Sequence, residues 1–218
     1  MTKSPEEIAI AYRSEPWWYD LRGFFILTFS YRTGLNRMVR FFASNIGKEH
    51  LELACGSGTL LMLQLHWRRL HRMPQASGIG IDYAESMLAG AVQRFAKLPE
   101  WRFLRGDAGR LQFPDATFDT ISIANAIHCL SDVDRCLAEA HRVLKPGGSL
   151  AANALLFPTG RRISRAIADR INQWGIRKGI LVTPFHRDDI RLRLAMAGFA
   201  IDYESVSGNC CYLLARKE

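Results

Sequence analysis

Glu52-Leu53-Ala54-Cys55-Gly56-Ser57-Gly58 (ELACGSG) is the stretch on which the fold turns. Before it, HLELA (His50–Ala54) alternates and clusters apolar residues as a strand does; after it, Thr59 to Arg72 carries the spacing of a helix. A strand that runs through a glycine-bearing loop into a helix opens a βα unit. In an open parallel sheet such loops lie at the carboxyl ends of the strands, where ligands bind. Small residues let a ligand approach the backbone, and the helix presents its positive N-terminus.

Working outward, the rhythm repeats. SGIGID (Ser77–Asp82) is a second strand, followed by a helix from Ala84 to Lys97. WRFLRGD (Trp101–Asp107) is a third, and FDTISIAN (Phe118–Asn125) a fourth. Its helix, Asp132 to Leu144, is stopped by Lys145-Pro146-Gly147-Gly148, and SLAANAL (Ser149–Leu155) is the fifth strand. This alternation implies an α/β chain with a parallel sheet covered by helices on both faces. The C-terminal end differs. A helix from Arg187 to Ala197 closes at Gly198, and FAIDYESV and CCYLLARK flank Ser207-Gly208-Asn209 as an antiparallel hairpin. A dinucleotide dehydrogenase does not usually end this way.

The loop chemistry separates two kinds of ligand. A dinucleotide fingerprint requires a third glycine at position 61, where Leu61 stands. An acid, Glu52, instead sits four residues before Gly56. That carboxylate repels a pyrophosphate and attracts a ligand carrying an ammonium and a sulfonium, which points to S-adenosylmethionine. Asp82 ends the second strand, where a carboxylate can accept from two ribose hydroxyls. Asp107 follows the third, where it can accept an adenine amino group with the Ala108 N–H facing a ring nitrogen. Each acid alone reads equally as a helix cap or a solvated loop residue. Acids after three successive strands carry the joint signal.

With these residues in place the chain resembles the class I S-adenosylmethionine-dependent methyltransferases over about residues 48 to 155. ELACGSG is similar to their first motif and GIDYAESML to their ribose segment. RGDAGRLQFPDATFDTISIANAIHCL is similar to the adenine and fourth-strand segments, and LAEAHRVLKPGGSL to the turn before the fifth strand. The nearest group is that of ubiquinone/menaquinone and small-molecule methyltransferases. The resemblance implies a Rossmann-like seven-stranded sheet with its last strand antiparallel, and S-adenosyl-L-methionine as cofactor. It implies cofactor contacts from Glu52, Ala54, Gly56, Gly58, Asp82, Tyr83, Met87, Asp107 and Ala108, with Asn125 near the methionine end. Ala54 departs from the family, which usually has glycine there; its methyl group is tolerable on an ordinary backbone angle.

Methyl transfer from a sulfonium is an in-line displacement, so catalysis is largely positioning, with a general base only where the acceptor must lose a proton. His128, just after the fourth strand, is the base candidate, with lining of the pocket as the alternative. His186 in VTPFHRDD is a weaker pocket candidate, since HRDD also reads as a helix N-terminus.

The acceptor side is less explicit. Residues 1–46 are expected to form one or two helices, a lid over a domain spanning 47–218. Within that lid Trp18, Tyr19 and Phe25 are candidates for the substrate pocket. Residues 156–186, read as a long arginine-rich loop, are expected to complete it. The formal charge of +8 suits nucleic acid, a membrane surface or an acidic substrate, and equally a plain basic chain. The run HWRRLHR (His66–Arg72) is accounted for as a complement to its helix dipole, so nucleic acid is not the expected partner. The expected acceptor is a small apolar or aromatic molecule. Phospholipid or nucleic-acid methylation is the second reading, and a non-catalytic cofactor-binding partner protein the third.

The five cysteines, Cys55, Cys129, Cys136, Cys210 and Cys211, show no CxxC spacing. They are expected as packing residues in a reducing cytoplasm, without a metal site. MTKSPEEIAI lacks the features of a secretory leader, and GFFILTFS (Gly23–Ser30) is far shorter than the roughly 20 apolar residues that span a bilayer. Peripheral contact with a membrane stays open, as does the oligomeric state.

Overall fold

The computed structural model describes residues 30–160, 162–178 and 181–218. Seven strands form one sheet: β1 (Glu49–Leu53), β2 (Ser77–Asp82), β3 (Trp101–Arg105), β4 (Phe118–Ile123), β5 (Leu144–Leu155), β6 (Phe199–Ser207) and β7 (Cys210–Lys217). Their order is β3-β2-β1-β4-β5-β7-β6. β7 runs antiparallel to both β5 and β6, while the remaining neighbours pair in parallel. The helices are α1 (Leu35–Ser44), α2 (Thr59–Leu70), α3 (Glu85–Arg94), α4 (Val133–Val143), α5 (Arg162–Lys178) and α6 (Arg187–Met196). The Rossmann-like seven-stranded sheet expected from the sequence is the one observed.

Side-chain alternation divides the core between the two faces. On β5, Leu150, Ala152 and Ala154 enter the larger core with Leu137 of α4 and Ile190 of α6. Ala151 and Leu155 point the other way, against Met38 and Phe42 of α1. β7 repeats the division: Cys211, Leu213 and Ala215 join the first core, Cys210 and Tyr212 the second. A third cluster, with Leu61, Phe95 and Trp101, lies under α2 and α3. Because both faces are covered, β1 is buried from His50 to Leu53.

α4 shows how one helix is set. Asp132 accepts from the Arg135 N–H at 3.0 Å as N-cap, and Cys136, Leu137, Ala140 and Val143 form the buried stripe. The hairpin tip is equally constrained. Gly208 has φ +61°, and a Cβ there would lie 2.3 Å from the Arg32 carbonyl oxygen and 2.5 Å from that of Tyr31. Neighbouring Asn209, 1% exposed, donates its N–H to Tyr31 O and its side-chain amide to Ser30 O, each at 2.7 Å. The hairpin therefore fixes residues 30–32 against the sheet.

Two elements differ from the sequence expectation. Residues 162–178 form α5 rather than a loop; its buried positions are Ala168, Asn172 and Gly175, a stripe too weakly apolar to announce a helix. The Lys145–Gly148 turn lies within β5 rather than before it. β5 pairs Leu144 with Phe118 and then Ser149 with Thr120, so the intervening residues bulge out. Other helix ends differ by up to three residues. Of the segment expected as a lid, residues 1–29 lie outside the described residues, including Trp18, Tyr19 and Phe25. α1, at its end, packs into the core. Among the described residues no helix is long and apolar enough to cross a membrane.

Candidate functional site

Parallel strands β1 to β5 end at a common edge where the order reverses, β1 leading toward β2 and β3 on one side and β4 leading to β5 on the other. A cleft of about 820 Å³, counting the open space at its mouth, lies at this edge. Its lining comes from Ala54 and Gly56 after β1, Asp82 to Ala84 and Met87 after β2, and Gly106 to Ala108 after β3. Ala124 to Ala126 and Cys129 to Ser131 close it on the β4 side.

Asp82 organises the loop beneath it. Its Oδ2 accepts from the Gly56 N–H at 2.7 Å and its Oδ1 from the Ala84 N–H at 2.9 Å. Burial raises its pKa above the ordinary carboxylate range, and the backbone N–H donors pull it back. Each oxygen keeps lone-pair capacity for a hydroxyl donor. Asp107 accepts from the Gly109 N–H at 2.8 Å through Oδ1 and likewise retains its second oxygen. The Arg105 guanidinium lies 5.4 Å from the centroid of the Tyr83 ring.

Ala54 has φ +54°, in the left-handed region. The condition under which its methyl group would be harmless, an ordinary backbone angle, is not met. The loop holds an alanine where glycine is favoured, at a cost of about 1–2 kcal/mol. Asn125 is also left-handed, with φ +57°, and is held by a partner the sequence reading missed. Asn153, fully buried on β5, accepts from the Asn125 N–H at 2.7 Å and donates to Asn125 Oδ1 at 2.6 Å. Asn125 in turn donates to Met38 Sδ of α1 at 3.0 Å. The signal for Asn153 was a single amide inside the apolar run AANALL.

Among the described residues, four expected ones do not line the cleft: Glu52, Gly58, His186 and His128. Glu52, 3% exposed, meets His50 Nε2 at 3.2 Å, while His50 Nδ1 meets Thr120 Oγ1 at 2.8 Å. Burial raises the Glu52 pKa, and His50 lowers it. Gly58, φ +72°, starts α2 and packs on α3: a Cβ would lie 3.0 Å from Phe95 and 3.2 Å from Ala91. His186 is exposed, its ring 4.5 Å from that of Phe157.

His128 corrects the base expectation. It is 4% exposed, and its Nδ1 accepts from the Leu155 N–H at 3.4 Å, which leaves the ring proton on Nε2, hydrogen-bonded to Tyr31 Oη. Burial lowers its pKa to about 3. No lone pair is left for an acceptor proton. The reason is local: Ile127–Cys129 is a 3₁₀ turn, in which consecutive side chains point about 120° apart, so Cys129 reaches the cleft and His128 turns inward.

Residues 51–148 match the family model described as a methyltransferase domain. Over that stretch, just under half of its length, the chain is similar to methyltransferase domains. Among similar proteins, a demethylmenaquinone methyltransferase of Thermus thermophilus is 42% identical over 113 residues, 51% of this chain and 48% of that one. A 2-phytyl-1,4-naphthoquinone methyltransferase of Thermosynechococcus vestitus is 31% identical over 140 residues, 64% of this chain and 58% of the other. The matched stretch thus spans about half the length of these curated relatives. A crystal structure of a SAM-dependent methyltransferase from Aquifex aeolicus superposes with a TM-score of 0.63 at 20% identity, covering 88% of this chain and 93% of that one. S-adenosylmethionine is the cofactor named for that Aquifex aeolicus protein. The residues present fit it: Asp82 and Asp107 offer free acceptor positions, and the walls between them are apolar.

Proposed function

We propose that the chain transfers a methyl group from S-adenosylmethionine to a small apolar acceptor of quinone type. The observation that carries this is the cleft itself, with carboxylates at the ends of β2 and β3 and a β4 side on which Ala124, Ala126, Cys129 and Leu130 stand beside Asn125 and Ser131. The relatives named for demethylmenaquinone and for a phytyl naphthoquinone support an acceptor of that chemistry.

The cofactor, when bound, supplies an activated methyl group on a sulfonium. What the protein supplies is position. Asp82 takes the ribose hydroxyls, Asp107 and Ala108 the adenine edge, and Asn125, locked by Asn153, shapes the end near β4. With His128 neutral and turned inward, acceptor deprotonation falls to the acceptor's own acidity rather than to this imidazole. A phenolic or hydroquinone-derived carbon acceptor meets that requirement. Residues 1–46 are proposed as the cover of this acceptor side and 47–218 as the catalytic domain.

Incubation with labelled S-adenosylmethionine and a short-tailed demethylated naphthoquinol should yield a methylated product that needs Asp82. Tight S-adenosylhomocysteine binding without transfer to any quinol would overturn the acceptor; absence of binding to either cofactor form would overturn the activity.

A further inference from the structure

α5 carries two stripes of opposite character. Ala168, Asn172 and Gly175 face the protein. On the other side Ile163, Ile167 and Trp174 are 78%, 46% and 38% exposed, and their spacing of four and seven places them in one row along the helix. Arg170, Arg177 and Lys178 are exposed beside that row, Arg162 and Arg165 are exposed elsewhere on the helix, and Asp169 is its one acid. Among the described residues none of these five cations forms an ion pair. A solvent-facing helix has no use for two isoleucines and a tryptophan set among unpaired cations. An anionic lipid surface matches both, taking the apolar row into the acyl boundary while the cations meet headgroups.

The position of α5 gives the match a purpose. It follows the carboxyl end of β5, at the same edge of the sheet as the cleft. It is tied there by Ser30 Oγ, which donates to Asn172 Oδ1 at 2.5 Å, and by Gly175 packed on Leu181. Val182 then donates to His128 O at 3.0 Å. We propose that α5 docks the protein on an anionic membrane surface and thereby turns the cleft edge toward the bilayer from which an apolar acceptor is drawn. The purpose, though not the docking, rests on the quinone-type reading above.

Flotation of the full chain with vesicles of equal parts phosphatidylglycerol and phosphatidylcholine tests this at low and high salt. Wild type is expected to float with these vesicles at low salt, to be released at high salt, and to ignore pure phosphatidylcholine. The double substitution I163S/I167S is expected to lower vesicle affinity by at least about tenfold, and each of R170Q, R177Q and K178Q by about fivefold. Trp174→Phe should remove the emission change that accompanies binding. S-adenosylhomocysteine affinity and circular dichroism serve as folding controls and should not move. Wild type that fails to float at low salt, or variants that float as well as wild type, would overturn the proposal. It is equally overturned if the α5 arginines bind a nucleic-acid duplex and not the vesicle, or if I163S/I167S only converts a dimer to a monomer. Vesicle binding without quinol methylation would leave the docking intact and remove the acceptor reading instead.

Discussion

The two sides of the cleft are built differently. After β1, β2 and β3, carboxylates accept the N–H groups of the loops beside them, as Asp82 does from Gly56 and Ala84 and Asp107 from Gly109. Behind the β4 side, where Cys129 reaches the cleft, the segment at residues 30–33, the Ile127–Cys129 turn, α5 and β7 are joined by side chains far apart in the chain. Tyr31 meets His128, Ser30 meets Asn172, and Thr33 Oγ1 meets Tyr212 Oη at 2.9 Å. The first side is a set of repeated local units; the second is a junction of four remote segments. A local unit can hold a constant ligand across many sequences, and a junction can change with the acceptor.

The sharpest way to break this contrast is Asp82→Ala. It removes two hydroxyl acceptors and the tie to Gly56, so S-adenosylhomocysteine affinity should fall roughly 100-fold by calorimetry. Unchanged affinity would mean the loops hold the ligand without their carboxylate.

Next in size is the far-side junction. His128 has a folded pKa of about 3 against about 6.5 unfolded, so the unfolded chain takes up the extra proton as pH falls below 6.5. The stability supplied by neutral His128 is full above that pH and is lost on acidification. Between pH 7 and pH 5 wild type should lose about 2 kcal/mol more than a His128→Gln variant in urea melts. Equal losses would show that the ring is not held neutral. Asn153→Leu should cost a comparable ~2 kcal/mol, because the Asn125 backbone N–H loses its acceptor; thermal unfolding measures it.

The smallest effect is also the most local. Ala54→Gly should stabilise the protein by about 0.5–1 kcal/mol, the relief of a left-handed alanine less the added freedom of glycine in the unfolded chain. A loss of stability would mean that the alanine methyl group makes contacts worth more than its strain.

Much of the fold was legible because it repeats. ELACGSG, GID and RGD each place a small-residue loop or an acid after an apolar strand, and the strand–helix period fixes the sheet direction. The C-terminal hairpin was legible from Ser207-Gly208-Asn209. Other features resisted reading. α5 buries an alanine, an asparagine and a glycine, so its inward stripe looks like a polar loop. Ala54 looks harmless until its φ is known. His128 has the position of a base, but a 3₁₀ turn decides which way it faces. Glu52 has the charge for an ammonium, but His50, two residues away on the same strand face, takes it first.

By itself the sequence determined the βα repeats, the strand directions and the acids at three strand ends, since each depends on residues within one short segment. Only the tertiary structure decided which of these side chains share the cleft, which are turned inward, and how Ser30 to Thr33 reach α5 and β7. Those outcomes depend on neighbours as much as 179 residues apart, as for Asn209 and Ser30, and no local period encodes a contact of that range.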